Sequence, residues 1–179
     1  MQTWIALFRG INVGGNNILP MAKLRSGLEA LTLQNVRTYI QSGNVVFESS
    51  SKSAASLEKR IASWVEGDFG FRPQVLLLKH GDLLAAVEKN PFPEAASAPK
   101  TLHFSFLATS AAKPDNEALE RVKAASERYA LVDDVFYLHA PDGIGRSKLA
   151  ASVEKHLGVV ATARNYRTVD KLLSLVAQN

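Results

Sequence analysis

Residues 36–48 of the chain read VRTYIQSGNVVFE, and the fold is decided by this stretch. It predicts a strand over Val36 to Gln41 and a tight turn at Ser42-Gly43-Asn44, because Ser, Gly and Asn are the residues that turns favour. Val45 to Glu48 then predicts the returning strand of a hairpin. The fold class depends on what flanks this hairpin on either side.

The flanking segments each predict one strand and one helix. Residues 3–9, TWIALFR, are rich in β-branched and aromatic residues and predict a buried strand. Pro20 suits a first helical position, and the apolar spacing after it predicts a helix over 20–31. A second helix is marked by Leu57, Ile61, Trp64 and Val65, and a strand by residues 74–79. The order β-α-β-β-α-β is that of a ferredoxin-like split βαβ.

The remaining chain predicts the same order of elements again. A connecting helix over 82–90 leads to residues 91–100, which have three prolines and are the best linker candidate. The elements that follow are a strand over 101–107, a helix over 115–128, a hairpin of 131–132 with 135–139 across Asp133-Asp134, a helix over 147–157, a strand over 159–163 and a helix over 168–177. We therefore predict an α+β chain of two ferredoxin-like halves, pseudo-duplicated and packed into one compact unit: 1–79, a connector over 80–100, and 101–179.

Composition excludes several classes of protein. The 179 residues are 46% hydrophobic and 21% charged, which is typical of globular proteins and not of disordered or fibrous chains. With no cysteine, no disulfide, Cys-ligated zinc or iron–sulfur cluster can form, and we expect a cytoplasmic protein. No apolar run approaches the length of a membrane span. Basic residues exceed acidic ones by 21 to 17, without a basic run, so the charge points only weakly to nucleic acid.

The unusual sequences of the first half are predicted to meet at one edge of its sheet. In a split βαβ sheet, the end of the first strand and the turn between the second and third share an edge. A ligand-binding cluster is therefore predicted at Arg9, Asn12, Gly14, Gly15, Asn16, Gln41, Ser42 and Asn44. The glycines allow close approach of a ligand, and the following helix N-terminus favours an anion. The alternative is that these residues serve only tight turns and hairpin chemistry.

A second cluster is predicted in the other half, where the third and fourth strands run the same way and end at a shared edge. Its members are Arg146, Ser147, Lys148, Arg164, Asn165 and Lys171, with Arg167 beside them. Cations at a helix N-terminus oppose the helix dipole unless an anion offsets them, which favours a functional role for Arg146 and Lys148. A two-fold relation between the halves would place both clusters in one cleft, and domain interfaces are common ligand sites.

Motifs of well-known enzymes and cofactor sites are missing. The first loop is not G-x-G-x-x-G, residues 143–148 are not a P-loop, and neither H-E-x-x-H nor G-x-S-x-G occurs. His103 and His139 are predicted on strands of the second sheet, where they would approach each other, but a core or surface role is favoured over a metal or acid–base role. We therefore predict no metal site, and the catalytic residues and the cofactor remain unknown.

Several of these blocks together resemble a bacterial family known only as domain of unknown function 1697. They are RGINVGG at 9–15, YIQSGNVVF at 39–47, GRSK at 145–148, and TARN at 162–165 with Thr168 and Lys171-Leu172. The blocks span nearly the whole chain in the order found in the family. The resemblance implies a compact α+β protein with two ferredoxin-like halves. It implies no activity, substrate or catalytic residues.

Three functions are compatible with these residues. The first is a binding protein for an anionic ligand: a nucleotide, a phosphorylated metabolite or nucleic acid, held by Arg, Lys, Asn and glycine loops. The second is an enzyme acting on a phosphorylated or carboxylated small molecule, in which Arg and Lys stabilise developing charge. The third is a protein-interaction module with structural glycine loops. Among the motif loops only Asp142 offers a carboxylate, so binding is favoured over catalysis. The sequence does not define the oligomeric state.

Overall fold

The computed structural model describes residues 1–178 and contains two four-stranded antiparallel sheets. The chain divides into two compact units, unit 1 (Met1–Leu84 with Leu172–Asn179) and unit 2 (Ala85–Lys171). Within the described residues there are six α-helices, none of them long and apolar enough to cross a membrane. The predicted α+β class is therefore confirmed.

Unit 1 is built around the predicted hairpin. Its elements are β1 (Gln2–Arg9), α1 (Met21–Ala30), β2 (Gln34–Tyr39), β3 (Asn44–Ser49), α2 (Ala54–Phe69) and β4 (Gln74–Lys79). The strand order is β2-β3-β1-β4, so β1 is central and pairs antiparallel with both β3 and β4. The pairing of Leu7 with Asn44 fixes where the β2–β3 turn meets the end of β1.

The core of unit 1 lies between one face of the sheet and the two helices. Alternate residues of β1, including Trp4 and Phe8, point to this face and are fully buried. The apolar stripes of the helices meet them, with Leu28 from α1 and Ile61 from α2 in the same cluster. The period of two in the strand and of about 3.6 in the helices brings these side chains onto facing surfaces.

Unit 2 contains a second sheet. The elements that follow β4 are α3 (His80–Glu88), β5 (Leu102–Leu107), α4 (Asn116–Val122), β6 (Arg128–Val132), β7 (Val135–His139), α5 (Lys148–Leu157), β8 (Ala161–Asn165) and α6 (Tyr166–Val176). The boundaries between the two units fall within α3 and α6. Short 3-10 helices at Pro93–Ser97 and Ile144–Arg146 complete the list. The strand order is β6-β7-β5-β8, with β5 central and antiparallel to β7 and β8. The predicted linker region 91–100 holds the first of these 3-10 helices and groups with unit 2.

Several predicted elements of unit 2 have different bounds in the structure; the strand predicted over 131–132, for example, runs from Arg128 to Val132. The helix predicted over 115–128 ends at Val122, and a turn leads directly into β6. The carboxylate of Glu127 accepts a hydrogen bond from the backbone N–H of Ala124, and this closes the turn. The strand predicted over 159–163 runs from Ala161 to Asn165, because its pairing with β5 extends that far.

Helices α1 and α2 approach each other closely at Gly27. A Cβ atom at this position would lie 1.8 Å from the ring of Trp64, so the ring fills the space that a side chain would need. The Trp64 ring packs edge-to-face on Phe69 at 5.7 Å between centroids, which holds it in place. Gly67, also helical, has open space around a Cβ.

We expect Gly27→Ala to lower the free energy of unfolding by about 1–3 kcal/mol, because the added methyl overpacks the Trp64 contact. Gly67→Ala is the matched control, and it should raise the same quantity by about 0.5–1 kcal/mol, since alanine is the better helix former. Urea denaturation of the two variants measures both values. Equal changes of the same sign would contradict this account of the contact between α1 and α2.

Candidate functional site

In the first predicted cluster, the amide of Asn12 holds two loops together. Its Nδ2 donates to the carbonyls of Leu19 and Gln41, each at 2.9 Å, and its Oδ1 accepts from the N–H of Leu19 at 2.7 Å. The topological prediction that the first loop meets the turn at Gln41 is therefore correct. The Asn12 amide therefore satisfies backbone groups of the two loops, and this structural role accounts for an asparagine at this position without a ligand.

The turn at 40–43 is fixed by buried hydrogen bonds. Asn44 is fully buried, and its Nδ2 donates to the carbonyl of Tyr39 and to Oγ of Ser42, each at 3.0 Å. The N–H of Phe8 donates to the carbonyl of Gly43 at 2.8 Å. Gly43 has φ +77°, and a Cβ there would lie 2.7 Å from Cβ of Phe8. The turn residues therefore serve hairpin geometry and close packing.

The rest of the first cluster lies at the surface. Gly14 and Gly15, with φ +58° and +78°, form a tight turn closed by the N–H of Asn16 donating to the carbonyl of Val13 at 3.0 Å. Positive φ at both central positions is the geometry for which hairpins select glycine. Arg9 donates to Oε1 of Gln74 on the neighbouring strand at 2.7 Å. The structure brings the first cluster to one edge, as predicted, but mainly as hairpin tips.

We expect Gly43→Ala to destabilise the protein more than Gly15→Ala does. The two glycines have nearly equal φ, +77° and +78°, so alanine pays the same left-handed strain of about 1–2 kcal/mol at each. Only Gly43 adds a clash, worth about 1–3 kcal/mol, because Gly15 has open space around its Cβ. Equal losses in urea unfolding experiments would show that packing at Gly43 contributes nothing.

In the second predicted cluster, Arg146, Ser147 and Lys148 line a cavity of about 570 Å³ in unit 2, hereafter the basic cavity. Ser147 is the N-cap of α5, and its Oγ accepts from the N–H of Ala150 at 2.9 Å. Arg146 and Lys148 flank this cap and are exposed. The structure thus places three predicted residues at one concave surface where a helix begins.

A second part of the lining of the basic cavity was not predicted. It comes from the end of α4 and the turn after it, and it contributes Arg121 and Lys123. A helix over 115–128 would point residues two positions apart to different faces, so no sequence signal placed them together. Because the helix stops at Val122, the chain turns and both residues line the cavity.

The basic cavity has a surplus of positive charge. Four basic side chains line it, against the two carboxylates of Glu127 and Asp142. Asp142 accepts from the hydroxyl of Ser126 at 2.5 Å, and Glu127 accepts from the backbone N–H of Ala124 at 2.9 Å. Within residues 1–178, the side chains of Arg121, Arg146 and Lys148 have no ion-pair or hydrogen-bond partner. Their charge is therefore available to a ligand.

The other predicted members of the second cluster do not line the basic cavity. Arg164 shares a face of the sheet with Phe104 and is 9% exposed, and burial lowers its pKa to about 10. Asn165 caps α6, with its Oδ1 accepting from the N–H and the hydroxyl of Thr168, each at 3.0 Å. Lys171 is exposed on α6. The predicted convergence of all these residues is not observed.

The predicted approach of His103 and His139 is also not observed. His103 pairs with Leu138, whereas His139 pairs with Leu102, so the pleat turns the two imidazoles to opposite faces. Among the described residues, no group of His, Asp and Glu is arranged to hold a metal ion. His103 is 7% exposed, and burial lowers its pKa, although the backbone at Thr101 opposes the shift in part.

The lowered pKa of His103 predicts a loss of stability in acid. Because the unfolded state binds the proton more readily, the stabilising effect of neutral His103 is complete above pH 6.5 and is lost as pH falls below that value. We expect the free energy of unfolding to fall by at most about 1.4 kcal/mol per pH unit from this group. His103→Gln should flatten the decline between pH 7 and pH 5 in urea unfolding experiments. An unchanged slope would contradict a buried neutral histidine.

Comparisons with known proteins agree with the fold. The family model described as "Protein of unknown function (DUF1697)" matches residues 1–137. A solved structure, that of the conserved bacterial protein SP0830 from Streptococcus pneumoniae, is similar at a TM-score of 0.68 and 27% sequence identity, over 97% of this chain and 98% of that one. The comparison with curated proteins finds no match.

Proposed function

Because the chain belongs to the DUF1697 family of proteins of unknown function, we propose a function from the geometry of its own site: binding of a small phosphate-bearing molecule in the basic cavity. The observation that carries the proposal is the group of basic side chains without ion-pair partners in residues 1–178 that surrounds this cavity. The volume of about 570 Å³ is in the range of small-molecule sites.

The chemistry of the lining suits phosphate. Arg121 and Arg146 offer the planar guanidinium fork that binds phosphate oxygens in pairs, and Lys148 adds a compact positive charge. The cavity also opens at the first turn of α5, a helix of 10 residues with no acidic side chain in that turn. The positive end of the helix dipole supports the same anion that the cations attract.

A small ligand is favoured over nucleic acid. The positive charge is concentrated at a concave surface, whereas the chain as a whole is evenly mixed with a net charge of +4. A nucleic-acid interface needs a patch or stripe of basic residues that follows a backbone of phosphates. Four cations around one cavity suit one or two phosphate groups.

A second candidate, catalysis on a phosphorylated substrate, is favoured by one contact in the same cavity. The hydroxyl of Ser126 donates to the Asp142 carboxylate at 2.5 Å, which pairs a nucleophile with a general base. Turnover of a phosphate monoester to inorganic phosphate, abolished by Ser126→Ala, would establish it. Binding without turnover would leave the first candidate alone.

We also propose that each sheet belongs to a ferredoxin-like fold and that the two folds arose by duplication. In both sheets the strand order is second-third-first-fourth, and each sheet belongs to a β-α-β-β-α-β segment, which supports two ferredoxin-like folds and an ancient duplication. The bacterial origin of the similar solved structure supports a bacterial protein. The absence of cysteine supports a cytoplasmic location.

We expect Arg146→Ala combined with Lys148→Ala to abolish binding of inorganic phosphate while leaving the ligand-free protein as stable as before, or slightly more so. These cations have no ion pair to lose within the described residues, and they oppose the dipole of α5. In a thermal-shift assay at low salt, phosphate at about 100 times its dissociation constant should stabilise the unmodified protein by about 2.7 kcal/mol.

The matched control is Lys113→Ala combined with Lys155→Ala, which removes the same charge from unit 2 away from the cavity. It should bind phosphate as the unmodified protein does. If both double variants lose phosphate binding equally, the loss reflects net charge, and the assignment of the phosphate site to the basic cavity is wrong. If phosphate is without effect and an oligonucleotide binds with steep salt dependence, the ligand is a nucleic acid.

A further inference from the structure

The lining of the basic cavity lacks a platform for a nucleobase. Within residues 1–178 no aromatic side chain lines it, and its apolar surface consists of Val122, Ala124 and Ala140. Bases are held in proteins chiefly by stacking on aromatic rings or by hydrogen bonds to their edges. The aliphatic side chains give a base no ring to stack on, and with the guanidinium groups of Arg121 and Arg146 directed to phosphate the cavity does not favour a nucleotide over other phosphate esters.

The same lining contains acceptors that a phosphate group cannot use. Glu127 is 5% exposed, and of its two carboxylate oxygens only Oε2 takes part in a hydrogen bond within residues 1–178, accepting from the N–H of Ala124. Asp142 accepts from Ser126 through Oδ2, and its Oδ1 likewise has no hydrogen-bond partner in the described residues. Ionised carboxylates only accept hydrogen bonds, so they repel a phosphate and attract hydroxyl groups.

Because the cations attract phosphate and the carboxylates attract hydroxyl groups, the cavity favours a ligand that carries both a phosphate and hydroxyl groups. We propose that the basic cavity binds a phosphorylated sugar or polyol, with its phosphate against Arg146 and Lys148 and its hydroxyls donating to Asp142 and Glu127. This proposal rests on the proposed function and names the chemical class of its ligand. The volume of about 570 Å³ leaves room for a sugar ring beside the phosphate.

Three phosphate monoesters separate the parts of the proposal in calorimetric titrations of the full chain. Ethyl phosphate carries the charge without hydroxyls, ribose 5-phosphate adds hydroxyls, and adenosine monophosphate adds a base. We expect the affinity for ribose 5-phosphate to be at least about tenfold higher than the affinity for ethyl phosphate, because hydrogen bonds to charged groups are strong. Adenosine monophosphate should bind no more tightly than ribose 5-phosphate.

Asp142→Asn provides the test of the residue. It removes a negative charge from an exposed position, so ethyl phosphate should bind as well as before or more tightly. Ribose 5-phosphate should bind more weakly, because its hydroxyls lose a charged acceptor. The preference for ribose 5-phosphate over ethyl phosphate should therefore fall several-fold. The opposite direction of the two effects separates a lost hydroxyl contact from a general loss of structure.

Equal affinities for ethyl phosphate and ribose 5-phosphate would overturn the sugar phosphate assignment and leave phosphate binding intact. Adenosine monophosphate binding tenfold more tightly than ribose 5-phosphate would overturn it in favour of a nucleotide. If Asp142→Asn leaves the preference for ribose 5-phosphate over ethyl phosphate unchanged, the assignment of Asp142 as a hydroxyl acceptor is wrong. If none of the three esters nor inorganic phosphate binds, the proposed function itself is wrong.

Discussion

Each unit depends on the antiparallel pairing of its first strand with two neighbours. In unit 1, β1 pairs with β3 and β4, and in unit 2, β5 pairs with β7 and β8. Because the first strand is central, the chain crosses from it to each edge strand through a helix: α1 precedes β2 and α2 precedes β4 in unit 1, and α4 and α5 precede the edge strands β6 and β8 in unit 2. The connections that follow β1 and β7 leave the sheet at the ends of these strands. Polar and glycine residues there do not disturb the packing of the hydrophobic core.

The charge balance of the basic cavity follows from this topology. The loop after β7 delivers Arg146 and Lys148 to the start of α5, and the early end of α4 delivers Arg121 and Lys123 to the same place. Like charges gathered at one site repel each other, and Lys148 also stands at the positive end of α5. A bound anion would relieve both unfavourable interactions, and this supports the proposed phosphate ligand.

The sequence predicted the order of the elements well, but only some of the residues that line the basic cavity. The hairpin at 36–48 and the repeated order of elements were predictable because turn residues and apolar periods are local signals. Arg121 and Lys123 were missed because their place depends on a helix end fixed by Glu127, a contact that helical periodicity does not encode. The strand predicted over 159–163 ends at Asn165, so Arg164 lies within a paired strand and is buried.

The first cluster shows why residue type alone does not define a site. Asn, Ser and Gly suit a ligand loop and a tight turn equally well, and only hydrogen bonds such as those of Asn12 and Asn44 distinguish the two roles. The most direct test is a titration of the full chain with inorganic phosphate, followed by backbone amide chemical shifts. The account predicts shifts at 121–127 and 142–150 and none at 9–16 or 41–44. Shifts confined to the glycine loops of unit 1 would contradict it.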